Sequence, residues 1–172
     1  MKISLLFIIL LASAALPIVQ QGYPTPPDAP GRLFYIQHSN GINTFVYDAH
    51  FSASRRLHDT DPVNIYRINY EKGGIKQELS GFQRRMAYGV EVNRLGSNNF
   101  EFTLAAYPHK KLQLKLTAEG KPYVLVNVNG KTLRLRKMFL FCNKSGTSVS
   151  HIDFYGKDMS AQSDLRERMV MR

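Results

Sequence analysis

The stretch "YVLVNVNGKTLRLR", residues 123–136, decides the fold. Val124, Val126 and Val128 alternate with Tyr123, Leu125 and Asn127, the period-two pattern of a strand with one dry face. Asn129-Gly130 then supplies two residues that tolerate the positive φ of a two-residue hairpin turn. Closing the turn there sets Val126 opposite Leu133 and Val124 opposite Leu135, while Leu125 meets Arg134 and Tyr123 meets Arg136. Turn chemistry and apolar pattern choose the same register, so a hairpin is predicted.

The same alternation recurs outward in both directions. Leu112, Leu114 and Leu116 oppose Lys111, Gln113 and Lys115, and Phe100, Phe102 and Leu104 oppose Glu101 and Thr103. A three-residue loop at Glu119–Lys121 places Leu116 opposite Val124 and Leu114 opposite Val126, and "YPHK" (107–110) links two further strands. "EKGG" (71–74) joins "VNIYRINY" (63–70) to "IKQEL" (75–79). "SGFQRRMA" (80–87) breaks the alternation, and Ser80 is placed to cap a short helical turn there. The pattern predicts an all-β domain with minor α content. Nine or ten strands form an antiparallel meander, closed as a barrel or folded as a sandwich.

"LFYIQHSNGINTFVYDAHF" (33–51) reads as another hairpin, turning at Asn40-Gly41 and pairing Ile36 with Phe45 and Phe34 with Tyr47. Its two histidines would lie roughly 20 Å apart along the hairpin, too far to share a metal ion. "MFLFC" (138–142) is apolar on both faces, so one face needs a cover: the chain's own tail, the 80–87 turn or a partner, with the tail favoured. Lys137 falls in parity with Leu133 and Leu135 and therefore predicts a bulge or a carboxylate partner.

The ends differ in character from this body. Met1-Lys2, "ISLLFIILL" (3–11) and "ASAAL" (12–16) read as a signal peptide over residues 1–20, cleaved near 14–20, for export to the periplasm or beyond. Residues 21–31, with four prolines, form an extended lead-in segment. A single β domain spans 32–157. The charged, helix-tolerant tail 158–172 is expected to be a short helix or frayed. Cys142 is the single cysteine, so no intramolecular disulfide supports the core, and the residue reads as a small buried hydrophobe.

The formal net charge is +10. For an exported chain this points to a lipid surface or an anionic envelope polymer, with peripheral membrane association, rather than to nucleic acid. Arg67, Gln83, Arg84, Arg85, Tyr88, Tyr123, Arg134 and Arg136 form the candidate ligand-binding set, basic groups interleaved with tyrosines that suit phosphorylated or carboxylated sugars or lipid headgroups. No phosphate-cradling glycine loop, dinucleotide fingerprint or metal-ligand spacing occurs, so no cofactor and no metal are implied. Asp48-x-His50 and His151-x-Asp153 each pair a carboxylate with an imidazole, but neither has a nucleophile motif beside it. The residues thus favour a non-enzymatic binding module. A hydrolase built on a His/Asp pair and a structural or accessory subunit of an envelope complex are the other two readings.

"LFYIQ" (33–37), "NTFVYDA" (43–49), "DPVNIYRINYEKGG" (61–74), "ELSGFQRRMAYGV" (78–90) and "IDFYGKD" (152–158), in that order, resemble a family of small exported bacterial proteins defined as a domain of unknown function. Arg67 and His38 depart from the family pattern, which has Trp and Arg there. The resemblance implies export and a shared β-rich domain, and it transfers no catalytic residue.

Overall fold

The computed structural model describes residues 22–171; the expected signal peptide over residues 1–20 lies outside the described residues. Among the described residues eleven strands form one sheet. They are β1 (Arg32–His38), β2 (Gly41–Ala49), β3 (Val63–Asn69), β4 (Ile75–Glu78), β5 (Val90–Gly96), β6 (Asn99–Leu104), β7 (Tyr107–Leu116), β8 (Pro122–Val128), β9 (Lys131–Cys142), β10 (Val149–Asp158) and β11 (Asp164–Val170).

The all-β expectation holds, and the topology adds one feature that hairpins alone do not give. Strand β9 has three neighbours. β8 pairs with Lys131–Arg134, β1 runs parallel against Lys137–Leu140, and β10 follows the other edge from Leu133 to Cys142. A strand has two edges, so β8 and β1 must share one, end to end. The sheet therefore forks at β9. One arm is β1-β2-β3-β4, the other β8-β7-β6-β5, and β4 and β5 stay unpaired with each other.

The two arms curl until they share a single core. Phe34 and Tyr47 stack at 4.4 Å, and Phe34 lies 6.4 Å from Phe102 of the other arm; all three are buried. Leu112, Leu114, Val124, Val126, Leu133 and Leu135 extend the same cluster. Each such side chain contributes roughly 1.5–3 kcal/mol by leaving water. This core supports a chain without disulfides.

The Asn129-Gly130 hairpin has the expected register, Val126 against Leu133 and Leu125 against Arg134, with φ of 52° and 79° at the turn. Phe34 meets Tyr47 and Ile36 meets Phe45 as expected, but β1 and β2 are joined by Ser39-Asn40, with a register shift between Ile36 and His38. Leu114 faces Val124, not Val126. The loop is Ala118–Gly120, because Gly120 supplies the left-handed residue (φ 78°) at its last position. A two-residue slip leaves every face unchanged. Residues 107–110 are not a connection. The turn is Ala105-Ala106, and Pro108, which has no N–H to give, sits in β7 where the pairing skips from Tyr107 to Leu112.

The tail is a strand and not a helix. In β11, Leu165, Glu167 and Met169 are half-buried while Asp164, Arg166, Arg168 and Val170 face out, and the open edge of β10 pairs with it. Pairing partners override the local tolerance for helix. Ser80 caps the helical turn as expected: its Oγ accepts from the Gln83 N–H at 3.2 Å, and Gln83 Oε1 accepts from the Ser80 N–H at 3.0 Å. Gly81–Gln83 then widens into a π-helical turn over Arg84–Tyr88.

Candidate anion-binding cleft

The fork creates the site. Where β8 and β1 part along the edge of β9, a cleft of about 650 Å³ opens on the outer face of the sheet. β9 also bulges there, since Tyr155 pairs with Lys137 and the next residue, Gly156, with Leu135. The bulge solves the problem posed by Lys137. Leu133, Leu135 and Met138 face the core, while Lys137 turns out beside Tyr35 and Tyr155.

Five cations line this cleft: Arg32, Arg134, Arg136, Lys137 and Lys157. Arg32 is neutralised by Asp48 at 2.6 Å and donates to the Tyr66 hydroxyl; Arg136 pairs with Asp164 at 2.5 Å. Arg134, Lys137 and Lys157 form no ion pair among the described residues. The Arg134 guanidinium lies 4.9 Å from the Tyr123 ring centre, and the Lys137 ammonium 4.5 Å from Tyr155 and 5.5 Å from Phe139. Aromatic faces thus hold two of the three in place without neutralising them. Burial, and then the like charge of Arg166, lower the Lys137 pKa against the opposing pull of Asp153. An anion placed here relieves that cost.

A strap crosses the same face. The lead-in segment is pinned by Tyr23, whose hydroxyl donates to the Ser39 carbonyl at 3.0 Å, and by Gln37, whose amide donates to the Pro24 carbonyl at 2.7 Å. Tyr23 also packs edge-on against Phe139. Phe141 is covered by His151 at 4.0 Å and by Arg168 of β11. Lead-in and tail strand together therefore cover the second face of 138–142. The strap brings Thr25, Pro26 and Asp28 into the cleft, and Asp28 is the one carboxylate among its lining residues.

The sequence-predicted residues fall in three places. Tyr123, Arg134 and Arg136 meet in the cleft. Arg84 and Arg85 line a separate hollow of about 510 Å³ together with Asp61 and Glu91, and Arg84 is held by Glu78 at 3.0 Å; Gln83 serves the cap just described. Arg67 donates to Gln77 at 2.5 Å, and Tyr88 stacks on Phe45 at 3.5 Å with its hydroxyl 3.2 Å from His38 Nε2. Missed from sequence were Arg32, Tyr35, Lys137, Tyr155 and Lys157. The anomalous parity of Lys137 was the available signal for one of them.

The catalytic constellations are engaged elsewhere. Asp48 binds Arg32 and Tyr66, while His50 Nδ1 lies 2.8 Å from the Asp61 carbonyl and stacks on His58 at 4.8 Å. Asp153 is wholly buried. Burial alone would raise its pKa, but hydrogen bonds from Arg168 and Arg166 prevail and lower it. Ser150 Oγ lies 3.0 Å from His151 Nδ1, yet His151 Nε2 is buried without a partner, so no carboxylate orients that imidazole. Cys142 Sγ sits 3.6 Å from His38 Nδ1. Burial lowers the His38 pKa to about 4 and raises that of the thiol, so both are neutral at pH 7. Among the described residues no three His, Cys, Asp or Glu side chains converge as a metal centre requires, and no helix is long and apolar enough to cross a membrane.

The family described as "Domain of unknown function (DUF4833)" matches residues 34–168, a span that contains all of these elements except the strap, Arg32 and the end of β11. No curated protein and no solved structure matches the chain.

Proposed function

The chain belongs to that family, and we propose that it is a non-catalytic binding module that takes an anionic ligand in the forked cleft after export. The observation that carries this is the trio Arg134, Lys137 and Lys157, clustered in one concave site without a carboxylate partner while nearby Arg32 and Arg136 each have one. Charged groups held ready without counter-charge gain most from a ligand that brings it. The basic net charge draws such a ligand in. The N-terminal apolar run supports action in the envelope, where acidic polymers and headgroups are abundant.

The test is calorimetric titration of the mature chain with polygalacturonate and with inorganic polyphosphate at low salt. Binding that weakens steeply with salt and drops roughly 100-fold in the double variant Arg134→Ala, Lys137→Ala is expected, at about one tenfold step per lost charge. Equal binding by the wild type and the double variant would overturn the assignment of the cleft. The matching control is Arg84→Ala, Arg85→Ala in the other hollow, which is expected to bind like the wild type.

A further inference from the structure

The cleft is one end of a longer feature. Cross-strand partners run in a single row across seven strands of the outer face: Glu78, Tyr66, Val46, Tyr35, Lys137, Tyr155 and Arg166 on β4, β3, β2, β1, β9, β10 and β11. Six interstrand steps of about 4.8 Å make this row roughly 29 Å long. The strap lies across it, and a second hollow of about 390 Å³ opens on the strap's far side, lined by Tyr66, Ile68, Tyr70 and Lys76. Both hollows include Thr25, Asp28 and Arg32, so they adjoin on either side of the same few residues.

The second hollow repeats the chemistry of the first. Lys76 holds its ammonium 3.9 Å from the Tyr66 ring centre and forms no ion pair among the described residues. The Tyr70 hydroxyl is buried with no hydrogen-bond partner, and such a group requires one.

We infer that the ligand is a linear acidic polysaccharide spanning both hollows, a deepening that rests on the anion-binding reading of the cleft. A single compact anion needs cations that converge. Here the trio of the cleft converges but Lys76 stands several strands away, with tyrosines between, which matches negative charges carried at intervals along a chain of hydroxyl-bearing rings. Arginine forks suit carboxylates, and the rings' hydroxyls can serve the orphan phenol. A lipid tail finds little room in the hollows, since the apolar side chains along them, Val46, Ile68 and Phe139, are already buried. Asp28 opposes the ligand at the junction of the hollows.

The experiment titrates the mature chain with galacturonic acid and with oligogalacturonates of increasing length, using wild type, Arg134→Ala, Lys76→Ala, Tyr70→Phe and Asp28→Asn, each checked for an unchanged circular dichroism spectrum. The expected result is an affinity that climbs at least tenfold from monomer to long oligomer, as linked contacts reinforce one another. Lys76→Ala and Tyr70→Phe, whose side chains lie at the surface or need only lose a hydroxyl, weaken the long oligomer severalfold and leave the monomer unchanged. Arg134→Ala weakens both, and Asp28→Asn strengthens both. Affinity independent of length but sensitive to Arg134→Ala overturns the two-hollow inference while leaving the anion-binding reading intact. Binding of polyphosphate or of anionic phospholipid vesicles without binding of any oligogalacturonate also overturns it. Failure to bind any of these probes sinks both readings.

Discussion

His38 offers a quantitative check on how the core is closed at the end of β1. Its ring packs beside the stacked pair Phe45 and Tyr88, with Cys142 Sγ at 3.6 Å, and no carboxylate among the described residues forms an ion pair with it. Desolvation therefore lowers its pKa from 6.5 to about 4. Between those values the unfolded chain binds a proton that the folded chain refuses, so stability is complete above pH 6.5 and is lost as pH falls towards 4. At about 1.4 kcal/mol per pH unit, the loss is about 2 kcal/mol by pH 5 and about 3 kcal/mol by pH 4. The assay is urea unfolding of wild type and His38→Gln at pH 7, 5 and 4. The variant cannot titrate at this position, so its stability deficit at pH 7 should shrink, or reverse, by those amounts as pH falls. Carboxylates that titrate in the same range act on both proteins and cancel in the difference. A wild-type-minus-variant difference that stays constant from pH 7 to pH 4 would refute the desolvated, uncharged His38.

Three substitutions probe the fork and the core. Lys137→Met removes a half-buried ammonium that has ring faces but no carboxylate partner, and is expected to leave stability unchanged or raise it by up to about 1 kcal/mol while weakening polyanion binding; urea midpoints and calorimetry read the two effects separately. Gly156→Ala would bring its Cβ within 2.3 Å of the Arg134 carbonyl oxygen, so β10 must shift off the β9 bulge, at a cost of about 2 kcal/mol or more in thermal unfolding. Phe34→Ala empties the contact between the two arms and is expected to cost about 3–5 kcal/mol in urea; a loss under 1 kcal/mol would mean that the arms are not held by this stack.

The faces of the strands were legible in the sequence because side-chain alternation survives a register error. The slip of Leu114 from Val126 to Val124 moved no residue between core and solvent. The Asn129-Gly130 hairpin and the Ser80 cap were legible because each rests on local chemistry. The parallel contact between β1 and β9 was not, since it joins segments about 100 residues apart with no turn to announce it. That contact forks the sheet and makes the cleft, so the site residues contributed by β1 and β10 were hidden too. Lys137 was the exception, marked by a parity that no regular strand could satisfy. The tail strand was hidden for another reason: Arg166 and Arg168 suit a helix locally, and their attachment to the buried Asp153 depends on tertiary pairing.

The most direct test of the cleft follows amide and side-chain resonances of isotope-labelled protein comprising residues 21–172 by NMR during titration with a long oligogalacturonate. The expected result is a contiguous set of shifts at Tyr35, Arg134, Lys137, Tyr155 and Lys157, continuing to Tyr70 and Lys76. Shifts confined to the Arg84-Arg85 hollow, or none at saturating oligomer, would contradict the account.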